Sequence, residues 1–194
     1  MRKQIGIGCI LLGILCLLTA VGFAVYNRYE ASQGEKTSQI LLQDLQTAIP
    51  ESPPAQEKSV PSEMQTVLLG SYESIGILSI PVLELELPVL TEWNYEKLKS
   101  APCHYYGSCY GSDFVVAAHN YPTHFGRLSQ LQPGDLVLFT DVTGTVHGYE
   151  VVLLETLQPT ATEEMITSGF ALSLYTCTPG GGNRVTVRCS KVDN

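Results

Sequence analysis

A chain of 194 residues leaves room for one medium-sized domain plus appendages. It carries 11 Lys and Arg against 19 Asp and Glu, a formal net charge of −8. From residue 66 onward six basic residues face thirteen acidic ones, and such a surface repels phosphate backbones, which argues against nucleic acid as a partner.

The first element in the chain is apolar. Ile5 to Tyr26 runs for about 20 residues without a charge, enough to cross a hydrocarbon core of roughly 30 Å. A signal-peptide core is shorter, and Val21-Gly22-Phe23-Ala24 makes a poor cleavage site, so a cleaved leader is the weaker alternative. Arg2 and Lys3 precede the span, while Arg28 and Glu30 behind it cancel. The expectation is a single-pass anchor over residues 1–27 in the cell membrane, with a cytoplasmic N-terminus and everything after it outside the cell.

Residues 28–65 read as a stalk. Ser38 to Ile49 places Ile40, Leu41, Leu45 and Ala48 at roughly helical spacing, a short amphipathic helix at best. Pro50 to Ser62 is dominated by Pro, Glu, Ser and Gln, a composition that does not bury enough surface to order itself. The segment is expected to hold the following domain away from the bilayer.

The folded domain is expected over 66–194, about 129 residues and large enough for its own core. Ile75–Ile80, Leu83–Val89, Phe114–Ala118, Leu136–Thr140 and His147–Leu154 read as strands, as do two runs around Cys177. Turn signals such as Pro133-Gly134-Asp135 and Asp141-Val-Thr-Gly144 separate them. At least seven short strands predict an all-β barrel or sandwich, with helix confined to connections near Tyr95–Lys99 and Glu163–Ser168.

Chemistry in such a chain must come from Cys, His and Arg. Cys177 ends the strand-like run Phe170 to Thr176, and Pro179 with three glycines leads into the next strand, which carries Arg184 and Arg188. His119 likewise follows the apolar run Phe114-Val-Val-Ala-Ala118. Strand ends give a side chain a rigid base and an open front. A His beside a Cys takes its proton and frees a thiolate for attack on acyl carbon, and an Arg stabilises the resulting oxyanion. Side-chain alternation puts Arg184 and Arg188 on one face, about 13 Å apart, so only one can lie level with Cys177. Pairing across the turn selects Arg184 and leaves Arg188 near Ser173.

Several motifs in order resemble one family. Leu172-Ser-Leu-Tyr-Thr-Cys177 resembles the T-L-x-T-C signature of the sortases, the membrane-anchored cysteine transpeptidases of Gram-positive bacteria, with Ser173 in place of the usual Thr. Phe114-Val-Val-Ala-Ala-His-Asn120 is similar to the family's His-bearing strand. Pro102-Cys-His-Tyr-Tyr-Gly-Ser108 resembles the loop that enters it, with Cys103 for the usual Gly, and Phe125 to Asp135 resembles the F-x-x-L-x-x-L-x-x-G-D turn. Asn183-Arg-Val-Thr-Val-Arg188 matches the Arg-bearing strand, and the similarity covers about residues 75 to 192.

The resemblance implies an eight-stranded sortase-type β-barrel with short helical connections behind one N-terminal transmembrane helix. It implies a catalytic set of His119, Cys177 and Arg184, with no metal or organic cofactor. The implied activity is cleavage of an L-P-x-T-G-like motif in surface proteins with C-terminal sorting signals. A thioacyl enzyme would pass the protein to an amine of cell-wall precursor or of a protein Lys. No Asp-Pro-aromatic triplet and no second span are visible, and the segment from Leu154 to Leu172 is short, which leans towards a class D-like enzyme.

Two rival readings stand beside this one. Cys103, Cys109, His119 and His124 echo a zinc site loosely, without typical spacing. A non-catalytic extracellular adhesin or binding module would need neither Cys177 nor Arg184. Of the remaining cysteines, Cys189 is in phase with Val185 and Val187 and should be buried, while Cys103 and Cys109 form either a disulfide or two free thiols. His104 reads as a structural hydrogen-bonder, His124 and His147 as surface or turn residues, Trp93 and Tyr95 as loop packing or groove lining, and Tyr175 as core or wall.

Overall fold

The computed structural model describes residues 2–50 and 63–192. Most of the Pro-rich stretch expected to be extended, residues 51–62, lies outside them. The first element is a single helix, α1 (Arg2–Ala48). Its N-terminal part presents Ile7, Leu11, Leu15, Leu18 and Phe23 to the outside, each at least half exposed, and it is long and apolar enough to cross a membrane.

The second half of α1 differs from the expected stalk. It continues unbroken and lies against the barrel through Gly34, Ser38, Leu41 and Leu45, all buried. That spacing is one helical stripe. Two of its four members are small, and a Cβ on Gly34 would run into the Lys99 carbonyl, so the helix closes in where a larger residue would hold it off. Ile40 and Ala48, two of the four apolar residues that suggested an amphipathic face, point outward. Residues 28–48 therefore bring the barrel up against the end of the apolar span instead of holding it at a distance.

Among the described residues nine strands follow, β1 (Val67–Leu69), β2 (Tyr72–Ile80), β3 (Leu85–Leu90), β4 (Cys103–Tyr106), β5 (Phe114–Ala117), β6 (Leu136–Asp141), β7 (Val146–Leu157), β8 (Leu172–Cys177) and β9 (Arg184–Lys191). Their order is β1-β2-β3-β4-β5-β8-β9-β7-β6, and β6 pairs back onto β2. Eight strands thus close a barrel and β1 is a short addition to β2. Closure leaves the eight without free edges. At the seam a Cβ on Gly76 would collide with the Thr140 carbonyl, so glycine is what lets β2 approach β6. A bulge at Ser74–Gly76 shifts the alternation, which is why Ile75, Leu78 and Ile80 all reach the interior.

The interior is filled by residues such as Leu78, Val89, Phe114, Phe139, Tyr149, Leu174 and Cys189, the last buried as its strand phase predicts. A second apolar cluster, outside the wall, packs Leu41 and Leu45 of α1 over Ile77, Leu90, Leu98, Cys103 and Ala117. Two short helices occupy the expected connections, α2 (Tyr95–Leu98) and α3 (Thr162–Ile166). Asn94 caps α2 by accepting from the Lys97 amide at 2.8 Å. Strands β1 and β4 were not anticipated from sequence; β4 touches β3 through the single pair Leu90–Cys103.

Candidate active site

Two pieces of register bring the singled-out residues together. Strand β5 runs parallel to β8, pairing Ala117 with Tyr175, and β8 runs antiparallel to β9, pairing Cys177 with Arg184 and Ser173 with Arg188. The Thr176 hydroxyl donates to the Ala118 carbonyl at 2.8 Å, and the Ala118 amide donates to the Tyr175 carbonyl at 3.2 Å. Those two bonds lock the residue before His119 to the residues before Cys177. His119, Cys177 and Arg184 consequently line one groove.

The β8–β9 turn explains the glycines. Gly180 and Gly181 both adopt positive φ, 83° and 76°, a left-handed pair that residues with a Cβ enter at a cost. The turn closes with the Thr178 amide on the Asn183 carbonyl at 2.9 Å and the Asn183 amide on the Thr178 hydroxyl at 3.0 Å. Arg184 donates through Nη1 to the carbonyls of Gly181 and Asn183, each at 3.2 Å, while Nε and Nη2 make no hydrogen bond among the described residues.

Leading to Cys177 is an aromatic wall. Trp93 meets Tyr95 and Tyr105 with ring centroids 5.0 and 5.7 Å apart, and Tyr105 meets Tyr175 at 5.4 Å, all edge-to-face. Trp93 and Tyr95 thus combine both roles considered for them, and Tyr175, two residues before Cys177 and on its face, is wall. Across the groove, Pro159, Ala161, Thr162 and Met165 come from α3 and the chain before it. Arg188 holds that segment: its guanidinium donates to the carbonyls of Glu164 at 2.8 Å and Met165 at 3.3 Å, to Ser173 Oγ at 2.8 Å, and to Glu155 Oε1 at 2.7 Å.

His119 stacks on Tyr121, centroids 4.9 Å apart. Burial lowers its pKa, the Glu30 carboxylate acts the other way, and Lys99 adds to the lowering. Glu30 belongs to α1. With Asn27, Arg28 and Ala31 it walls a second cleft that meets the first at His119 and Cys177 and is bounded by Gly180 and Gly181. Burial, and then the neighbouring Glu30 carboxylate, push the Tyr121 phenol up to about 12. Sequence reading missed this contribution, since Glu30 lies far upstream in a segment that resembles a spacer.

The histidines and cysteines outside this set depart from expectation in part. His104 bonds the Gly107 carbonyl at 2.9 Å, as expected of a structural residue. His124 lies in a turn but is fully buried, with neither ring nitrogen hydrogen-bonded among the described residues, and burial followed by nearby His119 lowers it to about 4. His147 is also buried, bonded through Nε2 to Asp141 at 3.0 Å. Cys103 and Cys109 are free thiols: the first lies under α1 and the second inside the barrel, so the wall between them excludes a disulfide. The same separation dissolves the Cys103, Cys109, His119, His124 zinc echo.

A family model described as a sortase domain matches residues 78–192. Among solved structures, sortase C1 from Streptococcus agalactiae is 26% identical over 62% of this chain and 68% of that one, with a TM-score of 0.55. Sortase C1 from Streptococcus suis is 28% identical over 62% and 74%, also at 0.55. Sortase A from Corynebacterium diphtheriae covers 89% of this chain and 96% of its own at a TM-score of 0.57, but at 18% identity that is a likeness of fold alone. No curated protein matches the chain.

Proposed function

This chain belongs to the sortase family of cysteine transpeptidases, and we propose that it cleaves an L-P-x-T-G-like sorting motif through a thioacyl intermediate on Cys177. His119 takes the Cys177 proton and the thiolate attacks the carbonyl carbon of the scissile bond. Arg184 stabilises the oxyanion of the tetrahedral adduct with the N–H groups that the turn leaves free. As the adduct collapses, protonated His119 gives its proton to the leaving amine, and a thioester remains. An acceptor amine then loses a proton to His119, attacks the thioester and restores the thiol. A half-buried imidazole with lowered pKa starts as the neutral base that this sequence of transfers requires.

The observation that carries the reading is the meeting of His119, Cys177 and Arg184 at one groove. The aromatic wall suits the sorting peptide. The second cleft suits the acceptor, because Glu30 there favours a cationic amine. We place the anchor at residues 1–27, with the N-terminus in the cytoplasm, and the catalytic domain over 66–194 on the outer face, where clients with C-terminal sorting signals emerge.

Full-length protein in detergent, given a sorting peptide and an amine, should yield the joined product and a trapped thioacyl adduct by mass spectrometry. Cys177→Ala and His119→Ala should abolish joining while the fold survives. Joining that persists without the thiol would overturn the assignment, as would a parent enzyme inert toward every peptide of a sorting-motif library.

A further inference from the structure

Far from the groove, three side chains of different chemistry converge inside the barrel. Cys109 comes from the β4–β5 connection, Asp141 ends β6, and His147 is the second residue of β7. The β6–β7 hairpin pairs Phe139 with His147, which sets the imidazole beside the carboxylate. One donor atom from each of the three lies within 4.8 Å of the others, and the residues are 1%, 3% and 7% exposed. From this convergence we propose that Cys109, Asp141 and His147 form a structural binding site for zinc(II), separate from the transpeptidase machinery.

The donor set selects the metal. Thiolate sulfur, imidazole nitrogen and a single carboxylate oxygen suit zinc, whereas calcium and magnesium demand oxygen donors throughout. Zinc bond lengths of about 2.0–2.3 Å place tetrahedral donors about 3.3–3.7 Å apart, so small side-chain rotations close the observed spread. Charge balances as well: a thiolate, a carboxylate and a neutral imidazole supply two negative charges to a divalent cation. The complex is then neutral, as an apolar interior requires. Binding releases the thiol proton of Cys109.

The surroundings hold one ligand atom ready. Asp141 Oδ1 accepts from the Thr143 amide at 2.9 Å, the Thr143 hydroxyl at 2.6 Å and the Thr145 amide at 3.1 Å. These bonds fix the carboxylate and leave Oδ2 facing His147 and the Tyr110 hydroxyl, each at 3.0 Å. A fourth donor is available from Tyr110 or from a water. The Tyr149 hydroxyl, in the same core cluster as Cys109, is buried without a hydrogen-bond partner among the described residues and can bond such a water. None of the three ligands lines the groove of Cys177, so the metal staples the β6–β7 hairpin to the β4–β5 connection and takes no part in acyl transfer.

The test uses the full chain in detergent, carrying Cys177→Ala so that the reactive thiol binds nothing. After chelator treatment and desalting, zinc chloride should restore a stoichiometric equivalent of metal that survives a second desalting. It should also raise the melting temperature by about 5 °C or more, as expected when ligand exceeds its dissociation constant a hundredfold. Cobalt(II) in place of zinc should produce the near-ultraviolet charge-transfer band of a cobalt–thiolate bond. Cys109→Ser should abolish that band, and His147→Gln should weaken zinc at least tenfold. The cobalt band of the parent needs no ligand variant to fold. A parent that retains no zinc or shows no cobalt–thiolate band overturns the proposal, as does one whose metal is kept equally by Cys109→Ser.

Discussion

Arg188→Ala should separate stability and substrate binding from chemistry. Arg188 is 2% exposed and ties four partners, two of them carbonyls of α3, and its guanidinium lies 5.8 Å from the Phe170 ring centroid. Removing one member of a buried ion pair typically costs about 3–5 kcal/mol. The Glu155 side chain is 31% exposed, so water takes over part of its solvation and the lower end, about 3 kcal/mol, is the better figure. For a domain of this size that loss lowers the melting temperature by roughly 6–12 °C. Freed from its anchor, α3 no longer presents Met165 and Thr162 to the groove, so KM for the sorting peptide should rise several-fold while kcat stays near the parent value. Arg188→Lys keeps the charge but loses the fork and should recover stability only in part. Thermal denaturation and steady-state peptide cleavage read both effects. A melting temperature within a degree or two of the parent, or a fall in kcat as deep as that of Arg184→Ala, would show that Arg188 is not the anchor of this wall.

Arg184→Ala should lower kcat by about 10²–10³ with little change in melting temperature, since it removes an oxyanion donor from a partly exposed strand end; a loss below tenfold in a cleavage assay would contradict the role. His124 titrates in the opposite sense to a paired histidine: its folded pKa of about 4 lies below the ordinary 6.5. The unfolded chain therefore binds the extra proton, and stability falls by up to about 3 kcal/mol as pH drops from 6.5 to 4. His124→Phe should flatten that part of the stability–pH curve in chemical denaturation, and an unchanged slope would refute the assignment. Leu45→Ala empties a fully buried site between α1 and the barrel and should cost about 2–5 kcal/mol. Proteolysis within residues 28–48 should then accelerate, and equal resistance would mean that the helix is not docked in solution.

What could be read from the sequence depended on how locally each feature is determined. The strands with clean apolar runs, β5 and β8 among them, stand where the runs stand, and the short glycine turn ties Cys177 to Arg184 by simple counting, so the register of both arginines was legible. Strands β1 and β4 were not, because three or four residues carry too little alternation and owe their conformation to the longer strands they pair with, Val67 with Ser74 across a tight turn and His104 with Val116. The helical stripe Gly34, Ser38, Leu41, Leu45 escaped notice for a related reason: two of its buried members are small and not apolar, and the smallness of Gly34 becomes meaningful only against the Lys99 carbonyl. His124 and His147 sit in turn-rich surroundings that resemble surface, yet both are buried. Strand pairing explains the candidate site. The candidate residues His119, Cys177 and Arg184 lie on or just past strands that pair with one another, and sequence motifs capture them. Glu30 reaches His119 and Tyr121 only because the helix that continues from the apolar N-terminal stretch lies against the barrel, so the polarity of the second cleft depends on a segment whose own sequence carries no catalytic signature.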